Sequence, residues 1–512
     1  MCILSATSPE SCHAPPLSTT LNPLKRLASQ TAIYGVSSVL GRFLNYLLVP
    51  LYTYSFLPAD YGVVVEFYAY MGFLAVLLAF GLETGYFRFR EEGGRCPELV
   101  FATVLRFLIL ANLGFFLLAW TYREPIATLL RHAAHPEYIV WVAAILALDS
   151  VGAIAFARLR AEQRAVRFAL IKLTEIGVNI ALNLFFILIC RQAFERDPTS
   201  WLGSLWDPAI GVGYVFLANL AASALKLLLL APELRGVTAG FDQGLARRLL
   251  GYSLPMVAIG FAGIVNDMLD RAALKFLLPH DPETNMAQLG IYGAVYKLSI
   301  LMSLFIQAFR YAGEPFFFAY ARQAGSRRMY AEVMNWFVIF CVFIFLLVSL
   351  FLDLFQYLIG ADFREGLWVV PILLLANLLL GIYINLSIWY KLTDRTGLGA
   401  WVALAGALIT ASALYLLVPR YSFAGAAWAH LLCYSFMVTL SWALGRRYYP
   451  VPYDLKRILG YIGLGLGLFA AARALEAWLG VPSLAAGVLC LAVYLGLVWR
   501  LDGRSLRQRQ RG

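Results

Sequence analysis

Long polar stretches are what this sequence lacks. Only 14% of its 512 residues are charged, and the longest connection expected on the outer side of its apolar runs is 191–209. That scarcity argues against a soluble chain of several domains. It also argues against membrane enzymes such as glycan polymerases, ligases and lipid-linked glycosyltransferases, which present catalytic groups on substantial extramembrane loops. No Asp-x-Asp motif for a nucleotide sugar occurs. The seven cysteines (Cys2, Cys12, Cys96, Cys190, Cys341, Cys433 and Cys490) show no CxxC spacing, and several lie in apolar runs where a thiol acts as a small hydrophobe. Neither disulfides, nor a metal, nor another cofactor is expected. His132 and His135 flank the connection before Pro136 without a matching acidic pair and read as solvated loop residues. The first 24 residues have no basic segment leading into an apolar one, so they read as a disordered tail and not a signal peptide. The net charge of +11 comes with no basic soluble module, so nucleic acid is not an expected partner.

What is present is apolar sequence: 61% of the residues are hydrophobic. A run of about 20 such residues crosses the roughly 30 Å core of a bilayer. The stretch from Leu27 to Phe89 holds two runs joined at FLPADYG, a transmembrane hairpin, and most of the remaining chain repeats that theme. Fourteen spans are expected, from 27–52 and 61–86 at the start to 397–418, 422–445, 456–478 and 482–500 at the end. The expected fold is an all-α polytopic membrane protein. Loops on the N-terminal side hold 27 Lys and Arg against 6 in the opposite loops, which puts both termini in the cytoplasm.

The opening hairpin resembles 249–318 six spans later. In both, a helix ends at Phe-Leu-Pro or Leu-Leu-Pro, a Tyr-Gly pair follows, and the next helix closes in a Gly, Glu, Phe cluster. Such a repeat gives two halves related by an axis along the membrane normal, as in alternating-access transporters. The expected division is a tail (1–24), an N-lobe of six helices (25–235), a C-lobe of six (236–447), two further helices (448–500) and a basic tail (501–512).

Charge inside a span is costly and points to a functional path. Arg42, Arg271 and Lys297 lie deepest and are expected to line a water-filled cavity, with Lys275 intermediate and Lys172 nearer an interface. Arg106, Lys226 and Arg473 lie near span ends, where they can reach the interface. Asp267 and Arg271 are spaced to pair on one helix face. Asp149 has no evident local partner and, with Glu175, Glu66, Asp267 and Asp270, is a candidate for meeting a coupling ion or proton. Pro50 and Pro255 interrupt helices where a kink would help a lobe rearrange.

Three stretches carry a resemblance: FLPADYGVVVEFYAYMGFLAVLLAFGLETGYFRF, LRAEQRAVRFALIKLTEIGVNIALNLFFIL, and the late segment containing VPRYSFAGAAWAH. Together they resemble the polysaccharide transporter family of flippases, within the multidrug, oligosaccharidyl-lipid and polysaccharide exporter superfamily. The resemblance implies two six-helix bundles in a bacterial inner membrane, carrying undecaprenyl-pyrophosphate-linked oligosaccharide from the cytoplasmic to the periplasmic leaflet. It implies no enzyme activity, and it names membrane lipids and polysaccharide polymerase and chain-length machinery as partners. A hydrated cationic cavity suits a pyrophosphate, so Arg42, Arg271 and Lys297, then Lys172 and Lys275, are the expected head-group ligands. A lipid II flippase and a cation-coupled multidrug exporter of the same fold stay open as alternatives.

Overall fold

The computed structural model describes residues 23–91, 96–234, 240–321, 323 and 325–503. Most of the two expected tails lies outside the described residues. Among the described residues there is no strand. The helices run in order as α1 (Pro23–Tyr46), α2 (Leu48–Ser55), α3 (Pro58–Leu78), α4 (Leu82–Glu91), α5 (Pro97–Thr121), α6 (Arg123–Leu129) and α7 (Pro136–Ala161). After these come α8 (Ala165–Leu184), α9 (Arg191–Arg196), α10 (Gly213–Leu229), α11 (Ala231–Leu234), α12 (Gln243–Leu277), α13 (Pro282–Leu298) and α14 (Ile300–Tyr320). The last seven are α15 (Ser326–Leu350), α16 (Leu352–Phe355), α17 (Val370–Leu386), α18 (Ile388–Leu392), α19 (Thr396–Tyr448), α20 (Leu455–Leu479) and α21 (Ser483–Val498).

Among the described residues, ten helices are long and apolar enough to cross a membrane, or eleven when α13 and the bent continuation of α14 are joined across their 51° bend. Three local features separate that number from the fourteen expected. The first span is split at Leu47 into α1 and α2, and α10 has only 17 residues. Helix α19 is two helical arms that reverse at Ser422 (φ 50°, ψ −136°). A Cβ on Gly425 would lie 2.4 Å from the Leu417 carbonyl, and the Cys433 thiol reaches the Gly406 carbonyl at 3.5 Å. The two arms of α19 are therefore antiparallel, which is the expected hairpin 397–418 and 422–445.

Local chemistry explains the starts and stops. Pro58, Pro97, Pro136 and Pro282 open α3, α5, α7 and α13, where a missing N–H costs nothing and the ring presets φ. Asp242, Asp281 and Asp454 cap α12, α13 and α20 by accepting from Leu245, Thr284 and Arg457 N–H groups at 2.9–3.0 Å. The Thr284 N–H and hydroxyl hold the Asp281 carboxyl below the usual carboxylate range.

Helices α3 and α4 run along α13 and α12, while α1 lies against α8 and α14. The face carrying the connections at 56–57, 122–135, 197–212 and 278–281 is the distal face; the opposite one is proximal. At the distal face Gly62, of the first Tyr-Gly pair, meets Gly290, three residues before the glycine of the second: a Cβ on Gly62 would fall 2.2 Å from the Met286 carbonyl, and one on Gly290 would fall 1.9 Å from the Pro58 carbonyl. Glycine there lets two backbones touch. Thr53 Oγ1 accepts from the Gly360 N–H at 3.1 Å, and the Tyr61 and Phe363 rings pack edge to face at 5.6 Å. Gly290→Ala has to push α13 off α3, so we expect a loss of about 1–3 kcal/mol, seen as a lowered melting temperature in detergent. Gly114→Ala, where a Cβ meets open space, is the control that should not melt early.

Candidate functional site

Four helices bring the deep charges together. Arg42 comes from α1, Asp267, Asp270 and Arg271 from α12, Tyr292, Tyr296 and Lys297 from α13, and Arg310 from α14. Arg42 and Lys297 are exposed although each sits far from a helix end in the expected spans. Lys297 lies within electrostatic reach of Arg271, Asp267 and Arg42, and Arg42 within reach of Tyr311, Arg310 and Asp267. An exposed cation whose charged neighbours come from several helices faces a gap between them, where water reaches it. Four cations and two carboxylates leave that gap net positive. Lys172 on α8 is within reach of Arg42 and extends the cationic wall toward α7 and α10.

Arg271 is held rather than free. The sequence expectation of an Asp267–Arg271 ion pair is not met: the guanidinium Nη1 donates to the Asp270 carboxylate at 2.6 Å and to the backbone carbonyl of Asp267. The cause is that Asp270 points inward among donors, accepting also from the Arg271 N–H (2.9 Å), Tyr292 Oη (2.6 Å) and His430 Nε2 (2.8 Å). Asp267 is left to accept from Tyr296 Oη at 3.3 Å. The Arg271 guanidinium also lies 4.3 Å from the centre of the Tyr296 ring. Arg271 is 8% exposed and lies within electrostatic reach of Lys297.

A second cluster lies among α7, α8 and α10. Lys226 Nζ bridges Asp149 Oδ1 and Glu175 Oε1, each at 2.6 Å, and Ser223 Oγ donates to Asp149 at 2.7 Å. Asp149 is therefore not the unpartnered carboxylate that its place in the sequence suggests. Lys226, which reads as a residue reaching for the interface, is instead buried at 5% exposure. Gly152 leaves the lane in which its stem lies.

The third cluster closes the distal face. Lys275 Nζ of α12 pairs with Glu66 Oε1 of α3 at 2.6 Å, and Glu66 Oε2 meets His132 Nε2 at 2.8 Å. Lys275 also donates to the Leu130 carbonyl and lies 3.1 Å from His132 Nε2. The side chains of Glu66, Lys275 and His132 are 0%, 3% and 10% exposed. His132 is thus not the solvated loop residue expected, because the connection after α6 folds it inward onto Glu66. Lys275 and Glu66 are drawn away from the wetted cations and hold two helices together.

The sequence alone does not mark Lys226, His132, Arg310 and His430 as members of these clusters. For His430 a signal is there, a single titratable ring in the apolar run AAWAHLLCYSF, and a histidine inside a span warrants the same attention as a Lys or Arg. Among the described residues no group of His, Cys, Asp and Glu is arranged to hold a metal.

Helical passes of this order, with buried charge on several of them and a positive gap between the first and seventh to eighth passes, are those of a multi-pass membrane protein. No family model matches the chain, and no curated protein matches its sequence. Solved structures do match its fold. The lipid II flippase MurJ in its inward closed conformation superposes with a TM-score of 0.69 at 15% identity, covering 92% of this chain and 99% of that one. The MATE multidrug transporter DinF-BH, solved as a complex, gives 0.60 at 18% identity over 86% of this chain and 99% of that one. An inward-facing MATE family transporter of the MOP superfamily gives 0.59 at 14% identity over 86% and 99%. The chain has the fold these flippases and exporters share.

Proposed function

We propose that this protein is an alternating-access flippase for undecaprenyl-pyrophosphate-linked oligosaccharide, an O-antigen, capsule or exopolysaccharide repeat unit. It moves its lipid from the proximal, cytoplasmic leaflet of a bacterial inner membrane to the distal, periplasmic one. The observation that carries the reading is the cationic wall of Arg42, Lys297 and Arg271, with Arg310 and Lys172 beside it. A pyrophosphate needs charge-assisted donors in a hydrated site, and an organic cation would be repelled from the same place. Residues 25–235 and 236–447 act as the two lobes, 448–500 adds two helices outside them, and both termini face the cytoplasm. The glycan polymerase and chain-length machinery receive the product at the distal face.

The test is a flipping assay in proteoliposomes, run in parallel with a prenyl-pyrophosphate oligosaccharide and with lipid II. Arg42→Ala and Lys297→Ala are expected to slow transport by about tenfold or more each, the scale of a lost hydrogen bond to a charged group. Faster movement of lipid II than of the oligosaccharide would place the chain with the lipid II flippases. Export of organic cations along an ion gradient, with both lipids ignored, would replace the flippase reading by a drug exporter.

A further inference from the structure

His430 is 2% exposed in the second arm of α19, and its two ring nitrogens differ sharply in surroundings. Nε2 sits 2.8 Å from the Asp270 carboxylate, which can only accept, so Nε2 carries a hydrogen. Nδ1 is buried without a hydrogen-bond partner. In the neutral ring that nitrogen is a bare lone pair, and a buried polar atom left unpaired calls for an explanation.

The charges around it supply one. The groups set against His430 are Asp270 of α12, with Arg271 and Tyr292 on the same carboxylate, and Tyr296 of α13, its ring 6.2 Å away; Asp267, Lys297 and Arg42 lie a step further out, in reach of one another. Tyr434 comes from its own helix, its ring 5.7 Å from the imidazole. Asp270 balances Arg271, so with a neutral imidazole the buried trio of Asp270, Arg271 and His430 carries no net charge. A proton on Nδ1 makes it +1 and sets two cations, Arg271 and the imidazolium, on the one Asp270 carboxylate.

Resting on the flippase reading, we infer that His430 is a proton-binding site linked to head-group binding: it takes up one proton at Nδ1 when a pyrophosphate seats at Arg271 and Lys297, and releases it when the pyrophosphate leaves. The bound anion offsets the added positive charge, and the proton on His430 in turn loosens Asp270 from Arg271, freeing guanidinium N–H groups for the phosphate. The coupling is reciprocal, because each ligand must raise the affinity for the other by the same factor. His430 touches no substrate; it positions Arg271 through Asp270.

Calorimetry on the full chain in detergent tests this, with farnesyl diphosphate as the probe. Titrations run from about pH 8 to about pH 5.5, the range over which histidine changes charge, in two buffers of different ionisation enthalpy. The probe's own titration is common to all variants, so the difference between wild type and His430→Gln isolates the protein's proton. Glutamine keeps an N–H for Asp270 and cannot be protonated; His430→Asn repeats the comparison with a shorter amide. The expected result is about one more proton taken up by wild type at the acidic end, and an affinity gain on acidification about tenfold larger than in either variant, within the ordinary range for coupled sites. Equal proton uptake and equal pH profiles in wild type and variants would overturn the inference and leave the flippase reading standing. A wild type that binds no farnesyl diphosphate at any pH would overturn both.

Discussion

Lys275→Ala is expected to destabilise the protein by about 3–5 kcal/mol, because it leaves the Glu66 carboxylate buried with only a histidine beside it. The cost is that of an uncompensated charge and exceeds the worth of the ion pair itself, so Glu66→Gln combined with Lys275→Met should recover much of the stability. Such non-additivity marks groups that act as a unit. The pair also ties α3 to α12 beside the point where α3 and α13 touch through Gly62 and Gly290. On the proposed flippase reading the distal face has to open, and this latch is what opening has to break. We therefore expect a cysteine placed at Met286, buried beneath Gly62, to react with a membrane-impermeant maleimide much faster in the Glu66→Gln, Lys275→Met double variant than in the parent. A double variant that melts as the parent does and labels no faster would show that the triad does not hold the face shut.

That latch is only half legible in the sequence. The positions of the passes follow from composition, since a bilayer forces about 20 apolar residues wherever the chain crosses. Proline at N1 and aspartate caps mark where many of them start. The Tyr-Gly pairs are visible as a repeat, and the structure gives part of the physical reason: Gly62 lies where α3 touches the α13 backbone, and Gly293 faces the Val65 side chain, so a side chain at either has no room, while Gly290, the other point of backbone contact, stands outside the repeated pair. Partners across the bundle are not legible. Asp149 and Lys226 are 77 positions apart, and nothing local in either span announces the other. Arg271 has Asp267 one turn away and Asp270 next to it, and helical spacing favours the former. Tyr292 and His430, from two other segments, hold the Asp270 carboxylate where the guanidinium meets it. Depth alone picks out Arg42 and Lys297, because both lie far from the ends of their expected spans. It cannot tell a wetted cation from one neutralised by a carboxylate on another helix, which is the difference between Lys297 and Lys275.

Lys226 should prove as sensitive as Lys275, for a different reason. Its ammonium occupies the space between Asp149 and Glu175, and it binds three helices, α7, α8 and α10, at one point. Lys226→Met leaves two carboxylates facing each other across a lysine's width in a partly buried site, so repulsion adds to the loss of attraction. We expect a stability loss of about 3–5 kcal/mol, as for other broken buried pairs. Lys226→Met with Glu175→Gln removes the repulsion and should melt nearer the parent than either single variant. Asp149 is the more exposed of the two carboxylates, with its side chain 42% exposed against 20% for Glu175, so it is the one that water reaches more easily. If Lys226 is a tethered counter-ion that must let go of Asp149 in each cycle, Lys226→Arg should hold the bundle together and slow flipping, because a guanidinium can bridge both carboxylates through several donors and releases them less readily. A Lys226→Arg protein that keeps its melting temperature and flips lipid at the parent rate would mean that the cluster is a fixed brace and takes no part in the cycle.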